Sequence, residues 1–181
     1  MEKWNWEYIP EIKTDRLLLD GIKEKDIEVY NEIIFDKSRN KYWGYDDMLS
    51  IEGAPLYDSF YRVAKEDFFA HEAINFAVRL KGEMIGEAVL FDFRNEESGK
   101  ALISVCELGC RILPDMSGMA YGAEAFYGAL NWALDSGLVS KVVAKCFHEN
   151  TSSFKMLSRD MDYTCEDETF KYFSKSKSQD M

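Results

Sequence analysis

Histidine and cysteine are scarce in this sequence, and their spacing excludes the common metal sites. Only His71 and His148 occur among the 181 residues, together with four cysteines. No CxxC pair and no Cys/His combination has the spacing of a zinc site. We therefore expect no metal ion, and we expect the cysteines to be buried free thiols.

Basic residues are also few, and the resulting acidity excludes several classes of partner. Lys and Arg number 22 against 33 Asp and Glu, which gives a net charge of −11 and an isoelectric point near 4.7. Such a surface repels the phosphates of nucleic acids and of anionic membranes. The composition therefore argues against both nucleic acids and anionic membranes as partners. It favours a cationic one, such as an amine, although acidity is also an ordinary device for solubility.

Long apolar runs are missing as well. The uncharged stretch 125–134 is far shorter than the roughly 20 residues that a membrane helix requires. The first thirty residues carry charges throughout and contain no apolar core of a secretion signal. We therefore expect no membrane span and a cytoplasmic location.

The rest of the composition is that of a folded protein with one core. Hydrophobic residues make up 46% of the chain and charged residues 30%, which excludes a disordered or low-complexity chain. The length is ordinary for a single domain. We expect one domain over 1–181, ending in a polar tail over 174–181.

The spacing of apolar residues predicts alternating helices and strands. The predicted strands cover 14–19, 74–80, 84–93, 101–113 and 141–147, followed by a hairpin over 163–173. The predicted helices cover 23–35, 58–71, 119–136 and 151–159, and the aromatic-rich segment 36–57 is predicted to be a loop or a broken helix.

The connections between these elements define the fold class. A Lys81–Gly82 turn predicts an antiparallel hairpin, the polar stretch 94–100 is expected to be another turn, and Gly109 suggests a bulge. One parallel crossover joins strand 101–113 to strand 141–147 through helix 119–136. We therefore expect an α+β protein with a mixed, mostly antiparallel twisted sheet flanked by helices.

The junction between strand 101–113 and helix 119–136 consists largely of small residues. Gly118, Ala120 and Gly122 leave the backbone barely covered at the start of the helix. Free N–H groups and the positive end of the helix dipole can bind a phosphate there without a basic side chain. The loop is neither a P-loop nor a GxGxxG fingerprint. The same residues would also suit a tight turn that only lets helix and sheet pack.

Five short motifs occur in a characteristic order along the chain. They are TDRLLL at 14–19, IGE at 85–87, ELG at 107–109, SGMAYGAEA at 117–125 and NTSS at 150–153. Together they resemble the Gcn5-related N-acetyltransferase (GNAT) family, in particular its RimJ- and RimL-like branch, which acetylates ribosomal-protein N-termini. The resemblance covers about 12–174 and implies the acyl-CoA N-acyltransferase fold.

The resemblance implies that acetyl-CoA donates an acetyl group directly to a primary amine, either a protein N-terminus or a small molecule. It also implies which residues contact the coenzyme. These are Ile112, Leu113, Ser117, Gly118, Met119, Ala120, Tyr121, Gly122, Asn150 and Ser153. Asn150 could equally be only the cap of the following helix, and the two roles are compatible.

Acetyl transfer requires the acceptor amine, with a pKa near ~10.4, to lose a proton before it attacks. Glu107 is the first candidate for the base, Glu87 the second and His148 the third, although strand carboxylates often just face solvent. A main-chain N–H near Ile112 would hold the oxyanion. Ser153 is the candidate proton donor to the departing thiolate.

The acceptor end of such a site would be lined by Tyr42, Trp43 and Tyr45, through apolar contact or attraction between the amine and an aromatic ring. A cluster of this kind can also be a small satellite core. We expect a cationic amine substrate, and a monomer or a homodimer.

Several positions depart from the family pattern. Ser117 stands where the family usually has Arg or Gln, and the loss of that charged donor removes about 1.5–3 kcal/mol of interaction. Ala120 replaces a usual Gly and is tolerable only if its φ is negative. Leu157 stands where many members have a tyrosine acid. The departures favour an alternative function, that of a catalytically degenerate ligand-sensing or interaction module.

Overall fold

The computed structural model describes residues 5–37, 41–43, 57–99 and 101–177. Within these ranges the chain forms eight strands and four helices. The strands are β1 (Ile12–Lys13), β2 (Leu17–Gly21), β3 (Ala73–Leu80), β4 (Glu83–Ser98), β5 (Ala101–Ile112), β6 (Lys141–Phe147), β7 (Asp162–Glu166) and β8 (Phe170–Ser176). The helices are α1 (Ile27–Phe35), α2 (Ser59–Phe69), α3 (Tyr121–Asp135) and α4 (Thr151–Leu157).

All eight strands form one sheet in the order β1-β2-β3-β4-β5-β6-β8-β7. Only β5 and β6 are parallel, and every other neighbouring pair is antiparallel. Parallel neighbours need a crossover, and here it is α3. The predicted α+β class, with a mixed and mostly antiparallel sheet, is therefore confirmed.

The two faces of the sheet carry different helices. Phe126 and Leu130 of α3 are buried in the main core together with sheet residues such as Phe76. Tyr30 and Ile33 of α1 form a second cluster on the other face. Because apolar residues of α3 recur at helical spacing on one side, that helix lies flat against the sheet.

The hairpin of β4 and β5 is longer than predicted, and the predicted turn over 94–100 is wrong. Residues Arg94–Ser98 continue β4 and pair with Ala101–Val105. Charged side chains are tolerated there because Arg94 pairs with Glu96, which also binds Lys141 of β6. The pair within β4 and the pair between Glu96 and Lys141 on another strand together offset the low strand propensity of the segment.

The bulge predicted at Gly109 is also misplaced. Gly109 pairs regularly with Val89, and the irregularity lies in β4 between Phe91 and Arg94, where Asp92 has a φ of +53°. Aspartate tolerates this left-handed conformation better than most residues. Gly109 has a different reason to be glycine, because a Cβ atom there would lie 2.7 Å from the ring of Trp43.

Strands β5 and β6 part after a short stretch of pairing. The parallel ladder runs only from Val105 opposite Lys141 to Glu107 opposite Val143. Beyond it, β5 stays paired with β4 and β6 stays paired with β8 up to Phe147. A gap therefore opens between the carboxyl halves of the two parallel strands, at the edge where α3 and α4 begin.

Candidate functional site

The wall of the gap on the β5 side presents backbone polar groups. Leu113 donates its N–H to the carbonyl of Ile85 across the hairpin, at 2.8 Å. Because bonding alternates along an antiparallel pair, Leu108, Cys110 and Ile112 direct their N–H and C=O groups away from β4. Those of Cys110 and Ile112 lie beyond the last β5–β6 pair, Glu107 opposite Val143, and face the gap, where an extended ligand with amides of its own can pair with them.

The loop after β5 also exposes its backbone. Gly118 and Ala120 have φ values of +79° and +62°, and α3 begins directly afterwards at Tyr121. The expectation that Ala120 avoids positive φ is therefore wrong. Glu124 makes the first hydrogen bond of the helix, to the carbonyl of Ala120. The earlier N–H groups of α3 have no acceptor within the helix, and they lie at its positive end.

A cluster of contacts around Glu124 holds this loop in place. Its carboxylate accepts hydrogen bonds from the Thr14 hydroxyl (2.6 Å), the Arg16 N–H (2.7 Å) and Arg16 Nε (2.6 Å). The guanidinium also donates to the carbonyl of Met119 (3.0 Å) and lies 4.5 Å from the ring centroid of Tyr121. Burial acts to raise the pKa of Glu124, but the hydrogen bonds from Thr14 and Arg16 outweigh it and lower the pKa.

Glu87 lies on the α1 face of the sheet, on β4, which β5 separates from the gap, and it is buried. Its side chain is 2% exposed, and it accepts hydrogen bonds from the Tyr30 hydroxyl (2.8 Å) and from Arg111 Nε (2.9 Å). The Arg111 guanidinium is in turn stacked 4.6 Å from the ring of Trp43. This arrangement fixes Arg111 under Trp43 and leaves Glu87 no exposed oxygen.

Glu107 lies on the same face, at the point where β5 and β6 part. Its two carboxylate oxygens are 3.1 and 3.2 Å from the Nζ of Lys145 on β6. The Glu107 side chain is 15% exposed and that of Lys145 39%. His148 lies farther along, where its Nε2 contacts the carbonyl of Asp167 at 2.8 Å. Of the three candidate bases, Glu107 is the one at the start of the gap.

Two of the three predicted acceptor-site aromatics lie across the gap on this face. The ring of Tyr42 is 6.0 Å from that of Phe147 on β6, and Trp43 covers Gly109 and Arg111 on β5. The segment 41–43 therefore contacts both strands. Tyr45 lies outside the described residues.

The start of α4 lies at the same edge of the sheet, because α4 follows β6 in the chain as α3 and the loop before it follow β5. Asn150 caps the helix, since its Oδ1 accepts a hydrogen bond from the Ser153 N–H at 3.1 Å. The Tyr127 hydroxyl of α3 donates to the carbonyl of Met156 and so joins the two helices. Leu157 is buried in the main core and has no acid–base role.

The cysteines have mixed environments. Cys106 and Cys146 are buried, Cys110 is half-buried, and all four thiols are free. Burial raises the pKa of Cys106 and of Cys110 to about 12, which makes both poor nucleophiles. Cys165 is exposed on β7, so the expectation of burial is wrong for this residue.

No helix among the described residues is long and apolar enough to cross a membrane. No group of three or more His, Cys, Asp or Glu side chains among them could hold a metal ion.

Sequence reasoning missed the role of Arg16. Thr14 and Arg16 belong to the TDRLLL motif and Glu124 to the loop motif, but nothing in either motif shows that the two meet. The hydrogen bonds between them span 108 and 110 positions of the chain. The sequence feature that could have suggested this contact is a basic residue in one motif and an acidic residue in another motif of the same family.

The fold agrees with the result of a family comparison. The chain belongs to the acetyltransferase (GNAT) domain family, whose model matches residues 16–159. A comparison with curated proteins gives no significant match.

Solved structures share the same fold. A GNAT-family acetyltransferase from Bacillus anthracis is 21% identical, with a TM-score of 0.68, over 93% of this chain and 99% of that one. RimJ from Mycobacterium smegmatis, solved with a CoA disulfide, is 12% identical, with a TM-score of 0.67, over 93% and 86%. A spermidine N-acetyltransferase from Vibrio cholerae, solved with CoA and spermine, is 13% identical, with a TM-score of 0.70, over 90% and 96%.

Proposed function

We propose that this protein transfers an acetyl group from acetyl-CoA to a primary amine. One observation carries the proposal: the gap between β5 and β6 leads directly to a loop with exposed backbone at the N-terminus of α3. A long, amide-bearing cosubstrate with a pyrophosphate at one end fits that combination. Membership of the GNAT family supports the same reaction class.

In this proposal the pantetheine arm lies along β5 and pairs with the backbone of Cys110 and Ile112, with Leu113 next to it. The pyrophosphate is bound by the loop and the first turn of α3. The residues assigned to it are Ser117, Gly118, Met119, Ala120, Tyr121 and Gly122. Backbone N–H groups and the helix dipole supply the binding, and this needs no loop arginine.

The far side of the arm is assigned to the start of α4. The Oδ1 of Asn150 is occupied by the helix cap, which leaves its amide N–H groups for the cosubstrate. The Ser153 hydroxyl is the proposed donor of a proton to the departing thiolate. Neither assignment conflicts with the capping role.

For the chemical step we assign the base to Glu107. Its carboxylate is partly exposed and lies where the two strands part, so it can take a proton from an amine entering the gap. The N–H groups that β5 turns toward the gap are the proposed oxyanion donors. Glu87 is ranked second because its side chain is only 2% exposed, against 15% for Glu107.

The acceptor enters from the α1 face, past Tyr42 and Trp43. A protein N-terminus and a small-molecule amine both fit the reaction. The Vibrio cholerae neighbour acts on spermidine, a small cationic amine. A cytoplasmic location suits a reaction that consumes acetyl-CoA.

A second candidate function is a ligand-sensing module that has lost catalysis. Ala120 in the left-handed region favours it, since a non-glycine residue there costs about 1–2 kcal/mol in the loop that would bind the pyrophosphate. Ser117 in place of the usual arginine acts in the same direction.

Two measurements separate these functions. Calorimetry with acetyl-CoA is expected to show binding, and no binding at millimolar concentration would refute both the enzyme and its coenzyme site. Release of free thiol is then measured with a panel of amines that includes N-terminal peptides and polyamines. Thiol release with any amine supports the transferase, whereas binding without release from the whole panel supports the sensing module.

A further inference from the structure

Lys145 places a primary amine of the protein itself in the proposed acceptor position. Its Nζ lies 3.1 Å from Glu107, the proposed base, at the start of the gap. We propose that Lys145 is a self-acetylation site, modified by the acetyl-CoA bound in the same chain. This inference rests on the proposed function, because it uses the same cosubstrate and the same gap.

The position of Lys145 on β6 follows from the sheet. Val143 is the last β6 residue paired with β5, and side chains of a strand alternate between faces. Lys145 is therefore the first β6 side chain on the Glu107 face beyond the end of the ladder. Its Nζ also lies 5.5 Å from the ring centroid of Phe170, on the neighbouring strand β8.

The chemistry is the same as that proposed for an external amine. Glu107 takes a proton from the Lys145 ammonium, and the free Nζ attacks the carbonyl carbon of the thioester. The new C–N bond forms as the C–S bond breaks. The thiolate leaves as coenzyme A thiol after taking up a proton, so the net products are acetyl-lysine, coenzyme A and one proton. No oxidant or metal is needed.

Lys141 supplies a matched control within the same strand. It also forms an ion pair, with Glu96 at 2.5 Å. However, Lys141 lies where β6 is still paired with β5, opposite Val105, so no gap opens beside it. A thioester bound between the parted strands is adjacent to Lys145 but not to Lys141.

Exposed lysines serve as the reference for ordinary chemical acetylation. Lys13 and Lys81 are both exposed and lie outside the gap. Acetyl-CoA reacting from free solution modifies such residues at least as fast as the partly covered Lys145. Faster labelling of Lys145 than of Lys81 therefore identifies a reaction of bound cosubstrate.

The test uses the full chain, acetyl-CoA with an isotopically labelled acetyl group, and no added amine. Intact mass and peptide mapping are expected to show one labelled acetyl group, at Lys145, formed at a rate independent of protein concentration. Glu107→Gln should slow this labelling by roughly 100-fold or more. The control variant Glu96→Gln should leave the rate unchanged. Lys145→Arg should bind acetyl-CoA and acquire no label at that position.

The outcomes separate the two proposals. Bound acetyl-CoA with Lys145 labelled no faster than Lys81, or an unchanged rate in Glu107→Gln, overturns self-acetylation alone. Labelled Lys145 with no turnover of any amine in the panel supports self-acetylation and refutes transfer to external amines. Failure to bind acetyl-CoA overturns both proposals.

Discussion

Replacing Ala120 by glycine should stabilise the protein, although glycine has the greatest conformational freedom to lose on folding. Ala120 has φ +62° and ψ +12°, in the left-handed region. An L-residue with a Cβ pays about 1–2 kcal/mol there. Glycine removes that cost but adds about 0.5–1 kcal/mol through the greater entropy of the unfolded chain. The net expectation for Ala120→Gly is a gain of about 0.5–1 kcal/mol.

The matched control is Ala123→Gly, three residues further on. Ala123 lies in the regular first turn of α3, where no strain is relieved and glycine costs up to about 1 kcal/mol. The two substitutions make the same chemical change and should shift stability in opposite directions. Urea unfolding measures both free energies, and thermal unfolding should move by about 1–4 °C for Ala120→Gly.

A loss of stability in Ala120→Gly similar to that in Ala123→Gly would refute the reasoning, because it would mean that Ala120 carries no strain. Calorimetry on the same variant tests the link to function. If strain in the loop weakens the coenzyme site, Ala120→Gly should bind acetyl-CoA at least as tightly as the parent protein. Weaker binding by this variant would show that the strain does not weaken the site.

Three further predictions concern the site. Gly122→Glu should abolish acetyl-CoA binding in calorimetry, because it places a carboxylate on the first turn of α3, next to the proposed pyrophosphate; unchanged affinity in a folded variant would disprove the loop assignment. Glu107→Gln should lower kcat by about 100-fold or more with little change in stability, whereas Glu87→Gln should destabilise the fold by about 3–5 kcal/mol in urea, because it removes the carboxylate charge that faces the buried Arg111 guanidinium; a stability loss in Glu107→Gln together with a kcat loss in Glu87→Gln would mean that the two roles are exchanged. The pKa of Glu124 is lowered by its hydrogen bonds, so these bonds stabilise the fold above the ordinary carboxyl pKa, and this stability is lost as pH falls through the lowered value. In Glu124→Gln the free energy of unfolding should therefore fall less steeply as the pH is lowered through this range. An unchanged pH dependence would contradict this.

The fold was largely predictable because its signals are local. The hairpin around Lys81 and the strand 141–147 follow from apolar periodicity and turn residues that lie within a few positions of each other. The predicted turn over 94–100 failed because charge was read as a loop signal. One of those charges, on Glu96, pairs with Lys141 of another strand, and this pairing joins positions 45 residues apart in the chain.

The candidate site was predictable only in part, and for the same reason. The loop over 117–122 is contiguous, so its small residues could be recognised as a backbone-exposing segment. The state of Glu87 and Glu107 depends on Arg111, Tyr30 and Lys145, which come from other strands and a helix. A sequence places two carboxylates on neighbouring strands but does not show that one is saturated and buried while the other is partly exposed.

The excess negative charge of −11 does not come from the carboxylates around the gap. Each of the three carboxylates at the site has a cation beside it: Glu124 has Arg16, Glu87 has Arg111, and Glu107 has Lys145. These pairs sum to zero, so the whole excess of negative charge lies elsewhere on the chain. At physiological ionic strength, exposed charges farther than about 8 Å from a ligand are largely screened. The acidity is therefore compatible with the proposed cationic acceptor, and the three paired carboxylates add no net negative charge where the proposed polyanionic coenzyme would bind.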